Sequence, residues 1–200
     1  MSTSSTFAIN LPAGLLDSVR AGDLGAFERV FRLFQRPVYS LAVRILGDAD
    51  EAMEATHDAF LRMNSALPSF RGDAPFWAWL RKIAVNETLM RLRRRSSRPL
   101  TDSMDMDDST PSSGHSPLEH AQSAELERAM AALPDVTRSV LWLYHGEGYT
   151  HDEIAQLMGR TVSFSKSQLA RGTQRLRFAL TEPEHAPNPT RENCHVSYAN

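Results

Sequence analysis

With 200 residues, 42% of them hydrophobic and 23% charged, the chain has the make-up of a soluble protein of one or two small domains, each able to bury a core. The formal net charge is −2, and a single cysteine, Cys194, lies six residues from the end, which excludes a disulfide framework and a cysteine-based metal motif. The opening MSTSSTFAIN lacks the basic and apolar segments of a signal peptide, and no stretch is long and apolar enough to span a bilayer, so a cytoplasmic protein without membrane insertion is expected.

A short tail over 1–14 precedes a helical domain expected over 15–95. Phe27, Val30, Phe31 and Phe34 follow the i, i+3, i+4, i+7 spacing of a one-sided helix, with Asp23 placed to cap it. Pro37 is expected to restart the chain, Val38 to Leu46 forms a second apolar run, and Gly47-Asp48 reads as a stop followed by a start. A third helix runs to about Ala66. Its residues Glu51, Glu54, Asp58 and Leu61 share one face, acidic with an apolar edge, which suits either a basic partner helix or plain solvation. Pro68 to Ala74 is turn-forming. Pro75 fits the first position of a fourth helix continuing through Trp79, Leu80, Ile83 and Met90.

From Arg81 to Arg98, seven basic residues face one acid, Glu87. The balance then inverts, with eight acids against Arg128 between Pro99 and Asp135. Within this stretch, 96–116 is rich in Ser, Asp and Pro and reads as a flexible linker, because it carries too little apolar surface to fold. Helical pattern resumes over 117–180, and the Pro-containing tail 181–200 is expected to be disordered.

Thr150 and Glu153 have capping-box spacing, so a helix starts there, and Gly159 ends it. A second helix, capped by Thr161 or Ser163, carries Lys166, Gln168, Arg171, Arg175 and Arg177, and no acid occurs between Arg160 and Leu180. This is either a helix-turn-helix with a cationic second helix, suited to the major groove, or an ordinary helical hairpin. Two basic patches separated by an acidic tether point to two polyanion contacts, the alternative being solvated helix faces.

These segments carry a family resemblance. LPDVTRSVLWL from Leu133, GYTHDEIAQLMG from Gly148 and Lys166-Ser-Gln-Leu169 resemble the fourth conserved region of sigma-70-type factors. Asp58-Ala-Phe-Leu61 and FRGDAPFWAWLRKIAVN from Phe70 resemble the second conserved region of their extracytoplasmic-function group. The resemblance implies an all-α fold of two small domains and a non-enzymatic subunit that joins core RNA polymerase and reads promoter DNA, with an anti-sigma factor as a further partner. It places Glu54, His57, Asp58 and Leu61 against the polymerase clamp helices, with His57 standing where the family usually has Gln. It assigns Phe70, Arg71, Gly72, Asp73 and Ala74 to capture of a flipped non-template base of the −10 element, with Lys82, Asn86, Arg91 and Arg93 following the adjacent strand. It assigns Ser163, Phe164, Ser165, Lys166, Gln168, Arg171 and Arg175 to the −35 duplex, with Gln168 where many members carry Arg.

Trp79 reads as core, since it continues into Leu80 and Ile83, whereas Trp77 fits either core or a stacking surface. Catalysis finds no support: the seven histidines are scattered, no nucleophile pairs with a base, and no cofactor, metal or small-molecule substrate is expected. The rival to a sigma factor is a free-standing dimeric helix-turn-helix regulator that binds its operator without polymerase.

Overall fold

The computed structural model describes residues 8–96 and 117–181, and every regular element among them is helical. In the first half these are α1 (Leu15–Arg20), α2 (Leu24–Leu46), α3 (Ala49–Ala66), a 3-10 turn (Leu67–Ser69) and α4 (Phe76–Ser96). In the second half they are α5 (Pro117–Ala131), α6 (Asp135–Leu141) with a π turn (Trp142–Gly146), α7 (His151–Met158) and α8 (Val162–Thr181). The proposed linker beyond Ser96, residues 1–7 of the N-terminal tail and the C-terminal tail beyond Thr181, with Cys194 and His195, lie outside the described residues.

The helix boundaries are set by local chemistry. Asp23 accepts the amides of Gly25 and Ala26, and Asp48 accepts that of Glu51. Each such cap is worth about 1 kcal/mol. Gly47, left-handed at φ 69°, lets the chain leave α2 and enter α3 one residue later.

Pro37 does not restart the chain. It lies inside a continuous α2, with Val30, Phe34, Val38, Leu41, Ala42 and Ile45 buried on one face. An interior proline costs roughly 3 kcal/mol, whereas each large apolar side chain buried on this face returns about 1.5–3 kcal/mol. The ladder position that the proline leaves open, at Leu33, falls on the exposed side of the helix. Pro75 sits one residue earlier than expected: its carbonyl accepts the amides of Ala78 and Trp79, and α4 begins at Phe76.

Helices α2, α3 and α4 form a bundle in which Ala52, Ala55 and Ala59 present a small-residue seam, filled out by Phe60, Met63, Leu80, Ala84 and Leu89. In the second half α6 and α7 pack on α8. A Cβ added at Gly172 would stand 2.3 Å from Leu141 Cδ1, so the glycine sets how closely α8 approaches α6. The halves also meet. Helix α6 lies on α2 and α7 on α4, and Val140, Leu143 and Ile154 complete the apolar core of the first half.

Candidate nucleic-acid interface

The loop after α3 is an exposed rim on an aromatic floor. Arg71, Gly72, Asp73 and Ala74 are exposed, and Gly72 adopts φ 81° with open space around its Cα. Phe70 turns inward: its ring lies 4.8 Å from that of Trp79 and 5.8 Å, edge-on, from that of Phe76. Trp79 stacks into the same cluster, as expected of a core residue. From α1, Arg20 pins the loop by donating to the carbonyls of Phe70 (2.8 Å) and Leu67 (3.4 Å). The exposed part is therefore the tip, while Phe70 acts as its anchor.

Along α4, Lys82, Asn86 and Arg93 are exposed and fall on one side of the helix. Arg91 does not join them. Nine residues from Lys82 is roughly half a turn around the helix at 3.6 residues per turn. Arg91 points instead at α3, where Nε (3.0 Å) and Nη2 (2.7 Å) donate to Asp58 and Nη1 donates to Glu54 and, at 3.3 Å, to Glu51. Burial works against the Arg91 charge, but the hydrogen bonds to Asp58 and Glu54, the attraction of Asp58 and the bond to Glu51 together raise its pKa above the ordinary arginine value. With its donors committed to three carboxylates, Arg91 is removed from the strand-tracking set.

The same network changes the character of the α3 face. Glu54 and Asp58 are partly neutralised by Arg91, while His57 stands exposed beside Leu61, which is 68% exposed, and Met53, which is 49% exposed. Met53, His57 and Leu61 follow one another at i, i+4, i+8 and form a stripe flanked by acids. Met53 escaped the sequence reading, although its spacing to His57 marks it.

The second basic surface is built on α7 and α8. Thr150 and Glu153 make the reciprocal capping box, Gly159 (φ 62°) ends α7, and Thr161 caps α8 by accepting the amide of Phe164 at 3.2 Å. The Glu153 carboxyl is held below its ordinary pKa, first by the Thr150 amide and then by the Thr150 hydroxyl. Ser163, Lys166, Arg171 and Arg175 are exposed along α8, and Phe164 is half-buried under the Arg160 guanidinium.

Two residues assigned to DNA face the other way. Ser165 is fully buried and bonded to His151 Nδ1 at 3.0 Å, so its side chain offers nothing to a groove. Gln168 is half-buried, with Oε1 accepting the Thr137 hydroxyl of α6 at 2.7 Å. Ser165, Leu169, Gly172 and Leu176 recur at helical spacing as the inward stripe, with Gln168 beside it. Lys166, Arg171 and Arg175 fall outside this stripe, spread over the exposed arc of the helix.

Two family descriptions match this chain: Sigma-70 region 2 over residues 30–98 and Sigma-70, region 4 over residues 123–176. The ECF RNA polymerase sigma factor SigM of Mycobacterium tuberculosis is 32% identical over 164 residues, covering 82% of each chain. The chain belongs to the extracytoplasmic-function group of the sigma-70 family. The RNA polymerase sigma-H factor of Pseudomonas aeruginosa is 29% identical over 177 residues, 83% of this sigma factor and 92% of that one. The ECF RNA polymerase sigma-E factor of Escherichia coli K12 is 28% identical over 171 residues, 80% and 89%. Among solved structures, sigma factor RpoE of Bartonella quintana, determined with the anti-sigma factor NepR, shares the fold, with a TM-score of 0.53 at 20% identity over 78% of this chain and 98% of that one. The first half of this sigma factor is thus its region 2 and the second half its region 4. Among the described residues no helix is long and apolar enough to cross a membrane.

Proposed function

We propose that this sigma factor joins core RNA polymerase through the α3 face and directs initiation by reading two promoter elements at once. Met53, His57 and Leu61, flanked by Glu54 and Asp58, form the docking stripe on the polymerase clamp. The Arg71–Ala74 tip, anchored by Phe70, receives a non-template base of the −10 element as it leaves the stack, and Lys82, Asn86 and Arg93 follow the strand beyond it. Unstacking costs a few kcal/mol, and a surface that accepts the base returns about 1–3 kcal/mol, enough to bias opening. In region 4, α8 enters the major groove of the −35 duplex with Lys166, Arg171 and Arg175. An anti-sigma factor, such as the one bound to the Bartonella relative, is the natural antagonist of these surfaces.

The observation that carries this reading is the sidedness of α8. Its inward stripe is committed to α6 and α7, and Lys166, Arg171 and Arg175 are left exposed to meet a polyanion. Run-off transcription with purified core polymerase tests it. A specific transcript that requires both this chain and an intact −35 element is expected. Tight operator binding without polymerase, and no transcript with it, would instead identify the dimeric regulator.

A further inference from the structure

We propose that Arg20 of α1 is a positioning residue for promoter opening: by holding the backbone of the Leu67–Phe70 turn, it sets the direction in which the Arg71–Ala74 tip is presented. The proposal rests on the base-capture reading above. Helix α1 precedes the stretch matched to Sigma-70 region 2, which begins at residue 30, and the family resemblance places no site residue on it.

Helix α1 is short, yet it is firmly seated. Leu15 and Val19 are buried in the core that α2 builds. At its far end the Ala21 amide donates to the Asp17 carbonyl (2.9 Å), the Gly22 amide to Val19 (3.0 Å) and the Asp23 amide to Ser18 (3.1 Å), and the Asp23 side chain at once caps α2. Gly22, at φ 87°, permits this tight reversal. Paired backbone groups and two buried side chains thus make the α1–α2 corner a fixed platform, and Arg20 projects from it.

The Arg20 guanidinium serves three acceptors. Nη2 donates to the Phe70 carbonyl at 2.8 Å, Nε to the Leu67 carbonyl at 3.4 Å and Nη1 to the Asp17 carboxylate at 2.7 Å. The Leu67 carbonyl also accepts the Phe70 amide at 3.1 Å, so the turn is closed on itself and tied to α1 at the same atom. Phe70, extended at φ −72° and ψ 112°, is where the 3-10 turn ends and the exposed tip begins. Its ring is held by Phe76 and Trp79, but apolar contact is non-directional and leaves a ring free to tilt. The carbonyl bond adds what the ring contact lacks. The Phe70 carbonyl belongs to the planar peptide unit that ends at the Arg71 Cα, so fixing that oxygen fixes the plane from which Arg71 leaves. Ordering the tip before a base arrives reduces the entropy that capture must otherwise overcome.

The chemistry of the position favours arginine. A guanidinium is a rigid planar fork of donors that can hold two carbonyls and a carboxylate in one arrangement, whereas a lysine ammonium is a point charge on a flexible stem. Asp17 is the weaker partner: its side chain is 77% exposed, and an ion pair in water adds little, so it steers the fork more than it strengthens it. The order of effects follows from this, with loss of the guanidinium largest, lysine intermediate and loss of the Asp17 charge smallest.

The test compares full-length wild type, Arg20→Gln, Arg20→Lys and Asp17→Asn in two measurements. Residue-resolved amide exchange of the free chain reads the loop, and a fluorescent adenine analogue in the −10 element reads base extrusion by holoenzyme made with purified core polymerase. Arg20→Gln is expected to speed exchange at the Phe70 amide roughly three- to tenfold, the equilibrium factor of one ordinary net hydrogen bond, while amides buried in α2, α3 and α4 exchange as in wild type. It should slow extrusion by a similar factor at saturating promoter, with closed-complex affinity and its salt dependence unchanged. Arg20→Lys should recover part of both effects, and Asp17→Asn should shift each by less than about twofold. Wild-type exchange at Phe70 in Arg20→Gln would overturn the anchoring, and faster exchange with a normal extrusion rate would remove its role in opening. Weaker closed-complex binding with a shallower salt slope would make Arg20 a phosphate contact instead. Arg71→Ala, measured alongside, keeps the two ideas apart: slow extrusion in Arg71→Ala but not in Arg20→Gln sinks the positioning role alone, and normal extrusion in both retires base capture at this loop as well.

Discussion

Arg91 donates to Asp58 through both Nε and Nη2, so an acid flanking the proposed docking stripe is also a structural partner of α4. The two roles separate by mutation. Asp58→Asn should lower stability by about 1–2 kcal/mol, since Arg91 keeps Glu51 and Glu54 but loses its two-bond partner. Leu61→Asp, at a side chain already in water, should leave the urea midpoint unchanged while cutting association with core polymerase at least tenfold. Equal pull-down of Leu61→Asp and wild type would remove this stripe from the docking surface.

Gln168 accepts the Thr137 hydroxyl, and this bond predicts that changes at the position act on packing rather than on base preference. Gln168→Arg should lower region 4 stability by about 1 kcal/mol and leave the preferred −35 sequence unaltered across a randomised library. Lys166→Ala or Arg171→Ala should instead weaken binding and reduce the salt slope by about 0.9 per lost phosphate contact. A shift toward guanine at one position in Gln168→Arg would contradict the inward orientation.

At Gly172 two effects of opposite sign compete. Replacing a mid-helix glycine by alanine gains up to about 1 kcal/mol of helix propensity, but overpacking costs about 1–3 kcal/mol. The new Cβ would stand 2.3 Å from Leu141 Cδ1 and 2.8 Å from Thr137 Cγ2, and both residues are buried, so they have little room to yield. Gly172→Ala is therefore expected to lower the thermal midpoint of the chain; a raised midpoint would mean that α6 and α8 separate freely.

The helix punctuation was legible because capping acts over three or four residues: Asp23, Gly47-Asp48, Thr150 with Glu153, Gly159 and Thr161 all perform the roles their spacing assigns. Continuity through Pro37 was not, since buried apolar residues along α2 override a local breaker. The turn of Arg91 away from Lys82 was available in the half-turn between them, and the burial of Ser165 in its spacing to Leu169 and Leu176. The bond from Arg138 Nη2 of α6 to the Leu46 carbonyl of α2 had no signal of this kind. It joins positions 92 residues apart and depends on how two helical units dock, which the periodicity of neither unit encodes.

The α7 capping box gives region 4 an acid limb. Glu153 is a carboxyl whose folded pKa is depressed by the Thr150 amide and hydroxyl, so its contribution is complete above the unfolded value, near 4.5, and fades as pH falls through the lower folded value. Thr150→Ala should cost about 1 kcal/mol at neutral pH and less at strongly acid pH, where the wild type has lost the same interaction. Urea midpoints at pH 7 and pH 3 measure this directly. A Thr150→Ala penalty that is equal at both values would mean that the hydroxyl-to-amide bond alone accounts for the cap.

Phe70 and Arg71 are neighbours in the same loop, yet their surroundings predict different defects. Phe70 is half-buried against Phe76 and Trp79, so Phe70→Ala should cost roughly 1–3 kcal/mol of stability, below the full range for a completely buried phenylalanine. Arg71 is exposed, and Arg71→Ala should leave stability within about 0.5 kcal/mol. On the proposed base-capture reading its effect falls on promoter opening, because a rim residue meets a base only after the base leaves the stack. Arg71→Ala should therefore slow open-complex formation on duplex promoter while closed-complex affinity is retained. On a template already unpaired across the −10 element the rate defect should shrink, and what remains should appear as weaker binding of the single strand. A defect of the same size on duplex and premelted templates, with unchanged single-strand affinity, would place base capture elsewhere and leave the loop tip without a role in opening.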